Sequence, residues 1–234
     1  MPKVAVIAGV GPGLGAALAR KLIQEGCQVG LLARSSTYLQ TLAEELRANG
    51  GQVLPAAVDI ADPDQGADGF RQIREALGPV DILINHASMA AWKGLLELNE
   101  DEFERAWRVS CFGAFLCSRQ AVPDMLASGS GAILFTGATS SIRGHGGAVA
   151  FSSAKFALRG LAQSMARQYW PQGIHVAHIV VDGVIDTPDV QADPDEPLLN
   201  PDAMAQAYWS LIEQDKSAWT LELDLRPHGE AFFE

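Results

Sequence analysis

Val4-Ala5-Val6-Ile7-Ala8-Gly9-Val10-Gly11-Pro12-Gly13-Leu14-Gly15 is the stretch on which the reading of this chain turns. An apolar, β-branched run breaks into four glycines and resumes as the helix-forming segment Ala16-Ala17-Leu18-Ala19-Arg20-Lys21-Leu22. A strand, a tight turn and a helix N-terminus in that order make a phosphate cradle. Glycines let the backbone approach a pyrophosphate, and the helix offers free N–H groups and the positive end of its dipole. Gly9, Gly13 and Gly15 read G-x-x-x-G-x-G; the more general dinucleotide pattern G-x-G-x-x-G needs a glycine where Leu14 stands. A glycine-rich turn also occurs in α/β proteins with no such ligand, so its context decides the reading.

Working outward, residues 29–33 read as a buried strand and 37–49 as a helix closed by Gly50-Gly51. Strands follow at 53–58, 80–84, 131–136, 174–181 and 219–225, and helices at 64–77, 100–127, 151–170 and 202–213. The Pro- and Asp-rich segment 182–201 reads as a loop. Strands that are continuous apolar runs, alternating with helices, imply a parallel sheet covered on both faces. The expectation is a Rossmann-type, doubly wound α/β fold: one mainly parallel seven-stranded sheet, helices on both faces. Residues 1–234 are read as one domain, with a loop-helix lid over the substrate at 182–213. Ligands in such sheets sit outside the C-terminal ends of the strands. That edge gathers Gly9 to Gly15, Arg34, Asp59, Asn85, residues 136–141 and residues 182–187.

At 234 residues, with 48% hydrophobic content, 23 Gly and 12 Pro, the chain can bury a full core without staples. Cys27, Cys111 and Cys117 form no metal-type pair and suit a reducing compartment. The first strand begins by residue 4 and no apolar run approaches the ~20 residues of a membrane span, so a cytoplasmic protein is expected. A net charge of −11 argues against nucleic acid or an anionic membrane as partner. No Lys or Arg falls between Gln168 and Asp215, where nine acids lie from Asp182 onward. They read as a solvated acidic surface or, alternatively, as a loop that repels anionic substrates.

The second strand ends in Ala33-Arg34-Ser35, where an acid would bind the ribose hydroxyls of NAD. Arg34 instead offers a guanidinium fork to a 2′-phosphate, and Ser35 a hydroxyl, which favours NADP(H) over NAD(H). With these residues in view, the chain resembles the short-chain dehydrogenase/reductase family over nearly its whole length. The motifs are Gly9-x-x-x-Gly13-x-Gly15, Asp59, Asn85-His86-Ala87, Phe151-x-x-x-Lys155, and Asp182-Gly183 through Thr187. The resemblance implies that Asp59 contacts the adenine, Asn85 steadies the sheet beside the ribose, and Lys155 holds the nicotinamide ribose. It implies that Thr187 touches the carboxamide or phosphate. The implied cofactor set is Gly9, Gly11, Gly13, Leu14, Gly15, Arg34, Ser35, Asp59, Ile60, Asn85, His86, Ala87, Lys155, Gly183, Ile185 and Thr187.

The resemblance also shows what has changed. The family's proton relay is built on Tyr-x-x-x-Lys, and the tyrosine position here is Phe151, which has no titratable group. The serine position is Ala138, with Thr139 or Ser140 able to replace it only if the loop slips, and the helix asparagine position is Ser110. Of the relay only Lys155 stays. The first expectation is an NADP(H)-dependent oxidoreductase with another proton source: Thr139, Ser140, His145, Lys155 or water. It would act on an activated small molecule such as a carbonyl or imine. The alternative is a dinucleotide-binding sensor or assembly subunit without turnover; a lyase or isomerase is a third possibility. Residues 88–96, 139–149 and 184–200 are expected to form the substrate pocket, with Trp92, Met89 and Ile142 lining it. Apolar faces at 100–127 and 151–170 suit a homodimer or homotetramer, as the family's four-helix interface implies.

Overall fold

The computed structural model describes residues 2–190 and 197–229 of the chain. Seven strands form one sheet in the order β3-β2-β1-β4-β5-β6-β9, and every pair is parallel. They are β1 (Val4–Ala8), β2 (Gln28–Ala33), β3 (Val53–Ala57), β4 (Ile82–Asn85), β5 (Gly131–Thr136), β6 (Ile174–Val181) and β9 (Glu222–Leu225). Two strands inside the expected loop pair with each other, β7 (Val184–Ile185) with β8 (Leu198–Leu199). That corrects the sequence reading. Two residues are too short a run for an alternation pattern, and their partners lie fourteen positions away across an acidic segment. Residues 80–81 and 219–221, expected as the starts of the fourth and last strands, fall outside the sheet.

The period of two along each strand sorts its side chains between two cores. Ala5 and Ile7 of β1, Ile82 and Ile84 of β4, and Leu134 of β5 face one side. They meet Leu18 and Leu22 of α1 (Leu14–Gln24), Leu39 and Leu42 of α2 (Ser36–Ala48), and Met204 and Tyr208 of α7 (Pro201–Ile212). Val4, Val6, Leu83, Ile133 and Phe135 face the other side. There they pack on Phe70 and Ile73 of α3 (Pro63–Leu77), Ala121 and Met125 of α5 (Gly113–Ser128), and Leu158 and Ala162 of α6 (Val149–Tyr169). Burying each of the larger of these side chains, Val, Leu, Ile, Met or Phe, contributes about 1.5–3 kcal/mol, which is why both faces of a parallel sheet must be covered.

Sequence-encoded caps set where the helices begin. Asp62 accepts from the N–H groups of Asp64 and Gln65 ahead of α3, Asn99 and Glu102 form a capping box on α4 (Glu100–Trp107), and Asn200 caps α7. The expected single helix 100–127 is α4 and α5 joined by one π-helical turn, Arg108–Phe112. Helix α1 differs from the capped helices: Gly13 at its N-cap has no side chain to occupy the first-turn N–H groups, and that turn carries no acid. His175 and His178 on β6 are packed and bonded, His175 to the carbonyls of Leu211 and Thr220 and His178 to Glu222.

Candidate active site

The strand order reverses direction between β1 and β4, and the cleft opens at the C-terminal ends of these strands. A cavity of about 660 Å³ there is lined by Gly9, Gly11, Arg34, Ser35, Asp59, Ile60, His86 and Ala87, among others. A second, of about 650 Å³, is lined by Lys155, Phe151, Thr139, Ser140, His145, Gly183 and Ile185 with their neighbours. Both are lined by His86 and Ser88, so they form one continuous trough.

The glycine turn is shaped by close approach. At Gly9 (φ +101°) a Cβ would lie 2.3 Å from the backbone of Ala87, and at Gly13 (φ +92°) it would lie 2.4 Å from the Thr187 methyl. A Cβ on Gly11, by contrast, would meet no protein atom and would project into the open trough. The turn is therefore held from behind and bare in front, with uncapped helix N–H groups beside it. That arrangement fits a pyrophosphate. Arg34 and Ser35 stand on the same wall, beyond the end of β2.

At the far end, Thr136 holds two of the site's polar groups. Its carbonyl accepts from Lys155 Nζ at 2.8 Å, and its hydroxyl lies 3.2 Å from His86 Nδ1 and 2.9 Å from the Tyr208 hydroxyl. Burial lowers the Lys155 ammonium to about 8, and burial together with the Lys155 charge lowers His86 to about 4. His86 is thus neutral at pH 7 and lacks the acidic imidazolium proton, whereas Lys155 titrates close to neutrality. The Phe151 ring packs over Lys155 with its centroid 5.5 Å from Nζ, and Trp92 packs on Phe151 at 5.2 Å. No tyrosine lines this cavity among the described residues.

The short chain dehydrogenase profile matches residues 3–197. The chain belongs to that family. It is 33% identical over 177 residues to the glycine betaine reductase of Emericella nidulans, a match covering 76% of this chain and only 14% of that much longer protein. A crystal structure of a short-chain dehydrogenase from Rhodopseudomonas palustris superposes with a TM-score of 0.85 at 35% identity, covering 97% of this chain and 99% of that one. An alcohol dehydrogenase from the archaeon Thermococcus sibiricus, complexed with 5-hydroxy-NADP, superposes with a TM-score of 0.90 at 27% identity over 99% of both chains. The protein is an oxidoreductase of the short-chain dehydrogenase type.

Within this family member the expected site residues divide by where the fold puts them. Gly9, Gly11, Arg34, Ser35, Asp59, Ile60, His86 and Ala87 line the first cavity, and Lys155, Phe151, Thr139, Ser140, His145, Gly183 and Ile185 the second. Gly13 and Thr187 meet behind the turn, while Leu14 and Gly15 are buried in the base of α1. Asn85 and Ser110 line neither cavity. Asn85 turns its amide toward Ser118 of α5 at 3.4 Å, and Ser110, fully buried in the π-helical turn, accepts from the Met89 N–H at 3.2 Å. Ser110 thus braces the loop after β4 and does not itself line the cavity. Met89 and Ile142 do not line the pocket, whereas Trp92 does.

Sequence reasoning did not single out Thr136, Tyr208 and Arg143, although it put residues 136–141 at the ligand-binding edge and 139–149 in the expected pocket. The first two are joined only by the fold, and Arg143 sits in a loop with no periodic pattern. Burial pushes the Cys27 and Cys111 thiols up to about 11 and Cys117 up to about 12, so none is a poised nucleophile. No cluster of metal-ligating side chains occurs among the described residues.

Proposed function

We propose that this protein is an NADP(H)-preferring short-chain oxidoreductase in which Lys155, and not a tyrosine, supplies the proton. The observation that carries this reading is the continuous trough: a bare glycine cradle with Arg34 and Ser35 at one end, the buried Lys155 ammonium at the other. Gly9, Gly11 and the first turn of α1 would hold the pyrophosphate, and Arg34 the 2′-phosphate. Lys155, Ile185 and Gly183 would flank the nicotinamide end. A reduced nicotinamide bound there supplies the hydride.

The chain's own part is the proton. Lys155 spends one N–H on the Thr136 carbonyl, and no other acceptor for it occurs among the described residues, so two N–H groups remain for ligand atoms. Its lowered pKa lets it give a proton to the oxygen or nitrogen of an activated carbonyl or imine. It then regains one from solvent at neutral pH. Phe151 packs over the ammonium and has no titratable group of its own. The segment 182–213 is the lid in this reading, because Val184 and Ile185 stand on the pocket wall; its residues 191–196 lie outside the described residues. The inactive-subunit reading follows from Phe151 and Ala138 alone and gives Lys155 no task beyond ribose binding.

The test is NADPH oxidation against a panel of activated carbonyls and imines, with Lys155→Met alongside. The expected result is turnover that falls as pH rises through about 8, since the protonated form is the donor, and a loss of at least about 100-fold in Lys155→Met. Turnover that is flat across that pH range, or unchanged in Lys155→Met, would contradict the assignment.

A further inference from the structure

The second cavity carries more positive charge than its donor role requires. Its ionised lining groups are Lys155, Arg143 and Asp182, in a chain whose net charge is −11. Asp182 follows β6 and is nearly inaccessible, and its charge is already answered by two other partners. Arg226 Nη1 lies 2.5 Å from its Oδ2, and the Thr139 hydroxyl donates to its Oδ1. Arg143 reaches the same carboxylate only through a long 3.4 Å contact, and no other partner of its guanidinium occurs among the described residues. Its side chain is one-third exposed (34%) and lines the cavity. Trp92, Val181, Val184 and Ile185 are the apolar side chains that share this lining with Phe151, and Trp92 packs on it.

We infer that the substrate of this pocket carries a carboxylate on an apolar, ring-sized body, and that Arg143 is the residue that reads the carboxylate. A guanidinium whose fork is largely uncommitted matches the two oxygens of a carboxylate. Held by one weak contact, Arg143 can swing to a ligand without stranding Asp182, which keeps Arg226 and Thr139. The aromatic pair Phe151 and Trp92 supplies the apolar contact, with ring centroids 5.2 Å apart. The acidic segment after Asp182 does not oppose this: Asp186 faces the back of the glycine turn, and Asp182 is the one acid that lines the cavity among the described residues. His145, exposed at the rim, is the other titratable group on this side, and His86 faces the pocket from β4 in its neutral form.

The inference rests on the cavity being the substrate pocket of the oxidoreductase proposed above, and its test reads binding, not turnover. Benzoate, phenylacetate and 3-phenylpropionate, each beside its primary amide, are titrated by calorimetry into the protein with and without saturating NADP⁺. The same series is run on Arg143→Gln and Arg143→Lys. At least one carboxylate should bind about tenfold or more tightly than its amide, as a charge-assisted bidentate contact provides. Arg143→Gln should abolish that preference while leaving the amide affinity unchanged, and Arg143→Lys should restore part of it. Equal binding of acids and amides, a preference that survives Arg143→Gln, or no binding by any of the three carboxylates would overturn the inference. Carboxylate binding that depends on Arg143 in a protein that never oxidises NADPH would leave it standing and sink the turnover proposal instead.

Discussion

Lys155 shows how a single residue can carry two costs and one function. Its ammonium is buried with one carbonyl partner, and burial lowers its pKa from 10.5 to about 8. Between those two values the unfolded chain binds a proton at this site that the folded chain does not, so stability due to Lys155 rises with pH there. Below about 8 the burial penalty is present in full. Urea unfolding of wild type and Lys155→Met should therefore show the wild type gaining relative to the variant from pH 8 to 10.5, with a constant difference from pH 6 to 7.5. A difference that is flat across the whole range would mean that Lys155 is solvated. Much at this scale was legible in the sequence. Phe151, Lys155, the glycines and Arg34 occupy fixed offsets within a motif, and an offset survives in one dimension. Thr136 was not legible, because its role is to join His86, Lys155 and Tyr208, which come from three other elements.

At the scale of the element, the turn between β1 and α1 is set by what lies behind it. Gly9 has a positive φ, and any Cβ there would strike the backbone of Ala87, which cannot rotate aside as a side chain can. Gly9→Ala should cost about 2–4 kcal/mol, adding the left-handed backbone penalty to overpacking, and should weaken dinucleotide binding by displacing the loop after β4. Chemical denaturation that shows less than about 0.5 kcal/mol of loss would mean the turn yields easily. Helix and strand order were readable from apolar periodicity and caps. The π-helical turn at Arg108–Phe112 was not, because residue spacing alone does not distinguish a five-residue turn from a continuing α-helix. That turn is what seats Ser110 under the Met89 N–H and away from the pocket. The pairing of β7 with β8 was hidden for a different reason, being two residues against two.

For the molecule as a whole, two exposed features point outward from the trough. Trp107, Phe112 and Phe115 stack in series at 5.7 and 6.1 Å between centroids across the π-helical turn and α5, and Phe103, Trp107, Phe115 and Phe156 are all more than one-third exposed. A groove between α5 and α6, lined by Phe115, Arg119, Leu161, Met165 and Tyr169, continues this apolar face. We propose that the face joins two copies of the chain, as the apolar helices of the sequence suggested. Light scattering should find a dimer or tetramer for the wild type and a smaller species for Phe115→Glu; a monomeric wild type would remove the proposal. No helix among the described residues is long and apolar enough to cross a membrane.

The trough at the strand switch is proposed to bind an NADP-type dinucleotide that Arg34 selects. The most direct measurement is calorimetric titration of the purified protein with NADPH and with NADH, repeated on Arg34→Ala. NADPH should bind the wild type more tightly than NADH. The variant should lose about 10- to 100-fold for NADPH alone, the value of a charge-assisted bond to phosphate. Equal affinity for the two dinucleotides, or an Arg34→Ala variant that binds NADPH as well as the wild type, would contradict this proposal.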